Sequence, residues 1–348
     1  MERLNTPMDK SARTKEYLVL TILLLSSILL FMILMENTEE PKAEPIRITL
    51  DTWPGYAYAY VAQEKGFFQK NGADVELILN RDSEASKDLF KEEKAQGMFT
   101  TLSDAIMMES EGVEQSTVFI VDYSTDGDVI MCRQEINSLT ELENKTIGIE
   151  GINTFSHRFV IETLARAGVK EQDIFLEKVK AHDTLEALEI GNIDAGHTRE
   201  PTKSLAIKRG YKILARAGDN PWLITDVLIF DKKTLNEKSN QITAIIKSLE
   251  QVRQYTIQNR EEAIRIMAES ESLSNEAMAK GIDGLRWTSL YENAQMMNSK
   301  EGALDRLIRE ISKFWADRGQ LSKMPTRRDI IDQRFVMDAG AQNRQVGR

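Results

Sequence analysis

Apolar and polar positions change their period several times along the chain, and each change marks an element. Residues 46–51 (IRITLD) alternate and are rich in β-branched side chains, the pattern of a half-buried strand. Trp53-Pro54-Gly55 interrupts it, as a Pro-Gly pair does at a turn. From 56 to 65 the apolar positions recur four apart, Tyr56 with Tyr60 and Ala57 with Val61. That spacing predicts a helix, which Gly66 ends. A second strand follows at 75–79. Strand, turn, helix, strand is a βαβ unit, so the two strands are expected to run parallel.

The alternation continues. Helix signals fall at 83–94 and from 102 to Gly112, with strands at 98–101 and 117–121. Strand patterns return at 129–132, 146–150, 174–180, 210–215 and 227–230, with helices at 157–167 and 185–189 between them. From 232 to 313 the chain reads almost wholly as amphipathic helix. Such alternation predicts an α/β fold, and 348 residues suit two lobes better than one. Residues 336–348 are polar without an apolar period and are expected to form a loose tail.

The N-terminal pattern differs. Residues 17–35 (YLVLTILLLSSILLFMILM) carry no charge, and the run is close to the ~20 residues that cross a bilayer core. Arg3, Lys10, Arg13 and Lys15 precede it, and Glu36, Glu39 and Glu40 follow. The positive-inside rule then leaves 1–16 in the cytoplasm and the rest outside. A cleaved signal peptide would have a shorter apolar run and a small-residue cleavage site. Met35-Glu36-Asn37 offers none. An uncleaved transmembrane anchor is expected, followed by an acidic tether at 36–45.

Composition narrows the chemistry. A net charge of −10 gives no electrostatic support to nucleic-acid binding. Cys132 is the only cysteine, which excludes an intramolecular disulfide and multi-cysteine metal motifs. No GxSxG, HExxH, P-loop, GxGxxG or CxxC motif occurs. His157, His182 and His197 are isolated, so spacing offers no nucleophile–base pair. Neither catalysis nor a cofactor or metal is expected. Binding residues are easier to place. Ligands sit at the carboxyl ends of parallel strands, which puts Trp53 and Tyr56 at the mouth of a site. Ser103 is a candidate N-cap for the helix starting at 102. Asn153, Thr154, Phe155 and Ser156 join strand 146–150 to the next helix. Small and hydroxyl residues at such a helix start form the best anion site in the chain.

Several of these stretches resemble one family. Residues 53–77 (WPGYAYAYVAQEKGFFQKNGADVEL) look like the opening of the substrate-binding proteins of ABC importers for nitrate, sulfonate, taurine and thiamine-pyrimidine precursors. Residues 101–105 (TLSDA), 122–128 (DYSTDGD), 191–195 (GNIDA), 219–230 and 314–335 resemble further family segments in the right order, spanning roughly 46 to 335. The resemblance implies a two-lobe periplasmic-binding-protein fold of type II. Lobe 1 would hold 46–123 and 227–335, lobe 2 would hold 124–226, and two hinge crossings would join them. It implies ligand contacts from Thr101, Ser103, Asp122 and the 153–156 loop. The family's Thr-Trp-Glu-Pro appears here as Thr198-Arg199-Glu200-Pro201. Glu200 carries over; Arg199 replaces the aromatic, and either offers the site a cation or faces outward. His197 lies beside that motif as a further candidate.

The function implied is solute binding for an ABC permease and ATPase, with an anionic or strongly dipolar solute. Two alternatives are a ligand-sensing module that signals to a partner and an enzyme like the thiamine-pyrimidine synthases. The latter carry a Cys-rich motif and an active-site histidine, and a chain with one cysteine departs from that.

Overall fold

Two separate sheets account for the strand signals in the computed structural model, which describes residues 20–30, 44–298 and 302–346. In the first, β1 (Ile46–Asp51) pairs in parallel with β2 (Val75–Asn80), from Ile46 opposite Val75 to Asp51 opposite Asn80. The helices α1 (Tyr58–Glu64) and α2 (Phe67–Asn71) form the crossover. After α3 (Ser83–Lys91), β3 (Gly97–Thr101) joins the other side of β1, also in parallel. The helix α4 (Leu102–Ser110) leads to β4 (Gln115–Ser124).

The chain then leaves for the second sheet. That sheet holds β5 (Val129–Cys132), β6 (Thr146–Ile149), β7 (Phe175–Lys178), β8 (Ala195–Thr198) and β9 (Lys212–Arg216) in the order β7-β6-β8-β5-β9. Between these strands lie α5 (Phe155–Arg166), α6 (Thr184–Glu189) and α7 (Thr202–Lys208). The chain returns as β10 (Thr225–Asp231), antiparallel to both β3 and β4. The first sheet is completed by β11 (Leu285–Trp287) in the order β11-β4-β10-β3-β1-β2. Each sheet is the floor of one lobe.

The two crossings run side by side. Ser124 N donates to Ile224 O at 3.1 Å, Gly218 N to Thr125 O at 2.6 Å, and Ala217 N to Asp128 O at 3.0 Å. Three successive amides of the first crossing, those of Thr125, Asp126 and Gly127, all donate to Gly284 O at 2.7–2.9 Å. A Cβ on Gly284 would lie 2.6 Å from Gly127 N, so this approach needs glycine.

The remaining helices return to the first lobe. They are α8 (Lys232–Glu237), α9 (Ser239–Gln258), α10 (Arg260–Glu271), α11 (Asn275–Asp283), α12 (Leu290–Asn298), α13 (Ala303–Ala316), α14 (Arg327–Ile330) and α15 (Arg334–Val346). Their apolar stripes pack onto α1, α2 and α4. The short strand β11 interrupts a stretch read almost wholly as helix. Trp287 holds it in place by donating from Nε1 to Gly55 O at 2.9 Å and stacking on Tyr58.

Two expectations change here. Residues 336–346 are helix, not a loose tail. Phe335, Val336 and Ala339 are buried on one face of α15, which packs on α9 and α12. A stripe of three apolar residues is too short to show a period in the sequence. The cap of α4 is Thr101 rather than Ser103. Thr101 ends β3 in extended conformation and its hydroxyl accepts from Asp104 N at 3.1 Å. Ser103 Oγ instead accepts from the indole of Trp315 at 3.1 Å.

At the other end of the chain, residues 20–30 form a helix with Leu20, Leu23, Leu24 and Ile28 exposed. Among the described residues no helix is long and apolar enough to cross a membrane. The rest of the 17–35 run, with 1–16 and most of the tether, lies outside the described residues.

Candidate functional site

The carboxyl ends of β1, β3 and β6 and the turns after them meet between the lobes. Asp51, Trp53, Tyr56, Thr101, Asp104, Asp128, Phe155, Arg199 and Asp226 line the cavity there. Its volume is about 20 Å³, room for about one water. The lobes therefore close largely on side chains. Grooves of 540 and 230 Å³ open on its flanks.

A cation sits at the centre. Arg199 follows β8 in lobe 2, and its guanidinium bridges the lobes. Nη1 donates to Glu150 Oε1 at 2.9 Å in lobe 2, and Nη2 to Asp51 Oδ2 at 3.0 Å in lobe 1. All three residues are under 10% exposed. Burial pushes Asp51 up to about 6, although Arg199 opposes the rise. Desolvation works against the Arg199 charge, but Glu150 and Asp51 hold its pKa above the usual arginine value.

Carboxylates surround that cation. Asp122 and Asp226 face each other across β4 and β10. Trp53 Nε1 donates to Asp122 Oδ2 at 3.3 Å, and the Tyr56 hydroxyl donates to Asp226 Oδ1. The Asp122 and Asp226 side chains are also hydrogen-bonded to each other. Burial pushes both carboxyls upward, so the pair retains a proton near neutrality. A Cβ on Gly55 would meet Asp122 Oδ2 at 2.0 Å, which is why the Trp53 turn carries glycine. In lobe 2, His197 Nε2 is 2.7 Å from Asp128 Oδ1, and the edges of Phe155 and Phe159 enclose the ring.

The helix start expected to hold an anion already meets one from the protein. Asp104 of lobe 1 accepts from Phe155 N at 3.0 Å, and its other oxygen pairs with Lys87 at 3.0 Å. Thr154 caps α5 through His157 N, and Ser156 Oγ accepts from Glu150 N at 2.9 Å.

The sequence candidates thus divide by place. Trp53, Tyr56, Thr101, Phe155 and Arg199 line the central cavity. Asp122 stands one hydrogen bond behind Trp53. Asn153 and Thr154 line the larger flank groove, where Asn153 Nδ2 donates to Gln320 at 2.7 Å. Glu200 lines the smaller groove and pairs with Lys203 at 3.4 Å. Ser103, Ser156 and His197 are buried behind the lining. The sequence reading missed Asp51, Asp104, Asp128, Glu150 and Asp226 as site groups. A usable signal existed for Asp51 and Glu150, since each is an acid at or just past the end of an apolar strand.

Residues 53–263 match the family model described as NMT1/THI5 like. The chain belongs to the NMT1/THI5-like family. Among its relatives, a putative thiamine biosynthesis protein of Haemophilus influenzae is 26% identical over 61% of this chain and 69% of its own length. A formylaminopyrimidine-binding protein of Halalkalibacterium halodurans is 20% identical over 87% of this chain and 94% of its own. The periplasmic aliphatic sulphonate binding protein SsuA of Escherichia coli has the same fold. Its TM-score is 0.69 at 16% identity, over 85% of this chain and 100% of that one. The α/β two-sheet periplasmic-binding-protein fold is therefore the fold of this family member.

Proposed function

We propose that this chain is the extracytoplasmic solute-binding component of an ABC importer. Its lobes clamp a small, donor-rich nitrogen base and present it to a permease driven by an ATPase. The observation that carries the reading is the lining: Asp51, Asp128 and Asp226 beside the Glu150-bound Arg199 guanidinium. A sulfonate or nitrate would bring a second negative charge against Asp51 and Asp128, the two of these acids that are ionised at neutral pH. Two like charges about 4 Å apart repel by about 4 kcal/mol at an effective dielectric of about 20. Of the anionic and dipolar solutes expected from sequence, the geometry favours the dipolar class, because Asp104 already accepts from the first α5 amide, that of Phe155. An aminopyrimidine carries N–H donors that carboxylates accept, and the formylaminopyrimidine-binding relative supports that class. The exposed apolar helix at 20–30 fits the reading of 17–35 as an anchor on the membrane.

The test is a thermal-shift panel on the full-length chain with aminopyrimidines, alkanesulfonates and nitrate. A bound solute at ~100 times its dissociation constant adds about 2.7 kcal/mol of stability. Stabilisation by aminopyrimidines is expected. Stabilisation by sulfonates or nitrate alone would overturn the solute class, and none from any member would overturn the function.

A further inference from the structure

The Arg199 guanidinium is held as a ligand would be. Two of its N–H groups meet carboxylates from opposite lobes, at 3.0 Å from Asp51 and 2.9 Å from Glu150. The Trp53 ring lies 6.0 Å away, within range for a face-on contact with a planar cation. Asp226, 2% exposed, lines the same cavity and is held by Tyr56. Closing the lobes brings Asp51 and Glu150 to a spacing that a planar N–C–N edge spans. The remaining free volume, about 20 Å³, cannot take such a group beside Arg199. A solute of that shape must exchange with the arginine rather than sit next to it.

We propose that the Asp51–Glu150 carboxylate pair is the seat for the planar N–C–N edge of the solute, and that the Arg199 guanidinium is the chain's own occupant of that seat. This rests on the reading of the cleft as a solute clamp. It assigns the solute class as amidines, guanidines and amino-substituted nitrogen heterocycles. It also makes Arg199 a specificity-determining residue, because only a group that replaces both of its donor bonds recovers what its displacement costs. An alkylammonium, a compact point charge, lacks the planar fork that matches two carboxylates.

Chemical complementation in the full-length chain is the test. Arg199→Ala opens the seat, and methylguanidinium is the probe, followed by calorimetry. The variant is expected to bind methylguanidinium at least tenfold more tightly than the parent. Ethylammonium should gain less, and adding Asp51→Asn should abolish the gain. No gain over the parent, an equal gain for ethylammonium, or a gain that survives Asp51→Asn would overturn the assignment. If Arg199→Ala does not fold, Asp51→Asn alone in the parent serves. A tenfold or greater loss of 2-aminopyrimidine affinity supports the seat, and an unchanged affinity overturns it. The two readings also fail separately. A variant that takes methylguanidinium while the parent binds no aminopyrimidine keeps the seat and loses the solute. A parent that binds aminopyrimidine while the variant takes no methylguanidinium keeps the clamp and loses the seat.

Discussion

Glu271, at the end of α10, shows how little a single acid reveals in sequence. It lies in the stretch read as amphipathic helix, yet it is 5% exposed and neither carboxylate oxygen has a partner. Burial pushes it up to about 8, with Asp51 adding to the rise. The unfolded value is about 4.3, so between those values the folded chain holds more protons than the unfolded one. Stability from this group is present at low pH and is lost as pH rises toward 8. Glu271→Gln keeps the shape without the ionisation. Its melting temperature should exceed the parent's at pH 9 and come close to it at about pH 4, below the unfolded value; equal differences at both pH values would rule this out. The same opacity hid the site carboxylates. Trp53 was legible because Pro54 and Gly55 mark a turn at a strand end. Asp226 was not, because the groups that enclose it, Tyr56 and Asp122, are far away in sequence. Arg199 was left open between a site cation and an outward side chain, and only the cross-lobe contact to Asp51 resolves it inward.

Element by element, the regular stretches were readable and the exceptions have local causes. The βαβ opening, the alternation through both lobes and the helical C-terminal half follow from period alone. The strand β11 escaped because three residues carry no period, and its place depends on Trp287 reaching Gly55. α15 escaped because, among the residues whose side chains are described, Phe335, Val336 and Ala339 make up its buried face. Gly284 sits where such local demands are strictest, since its carbonyl takes three amides of the first crossing. Gly284→Ala places a Cβ against backbone that cannot swing aside like a flexible side chain. A lower urea midpoint is expected; a midpoint equal to the parent's would show that the crossing yields more readily than its packing implies.

For the whole molecule, the order of family-like segments made the two-lobe architecture legible, while the sign of the cleft was not. Net charge is a global sum, and the cleft's potential depends on which acids the two lobes bury together. Topology in the membrane belongs to the same scale. Residues 17–35 are expected to remain in the mature protein, and N-terminal sequencing of membrane-extracted material checks this. A mature chain beginning after Met35 would rule out the anchor. The convergence of Thr125, Asp126 and Gly127 on one oxygen has a mechanical consequence. If the lobes open as expected, an oxygen gripped by three donors would serve as a swivel, about which one lobe tilts without exchanging partners. Displacement then grows with lever arm. Trp53, whose ring lies against Gly127, would travel little, and the rims would travel most. A distance reporter for opening therefore belongs on the rims, and a dye beside the pivot would stay nearly silent through the whole cycle.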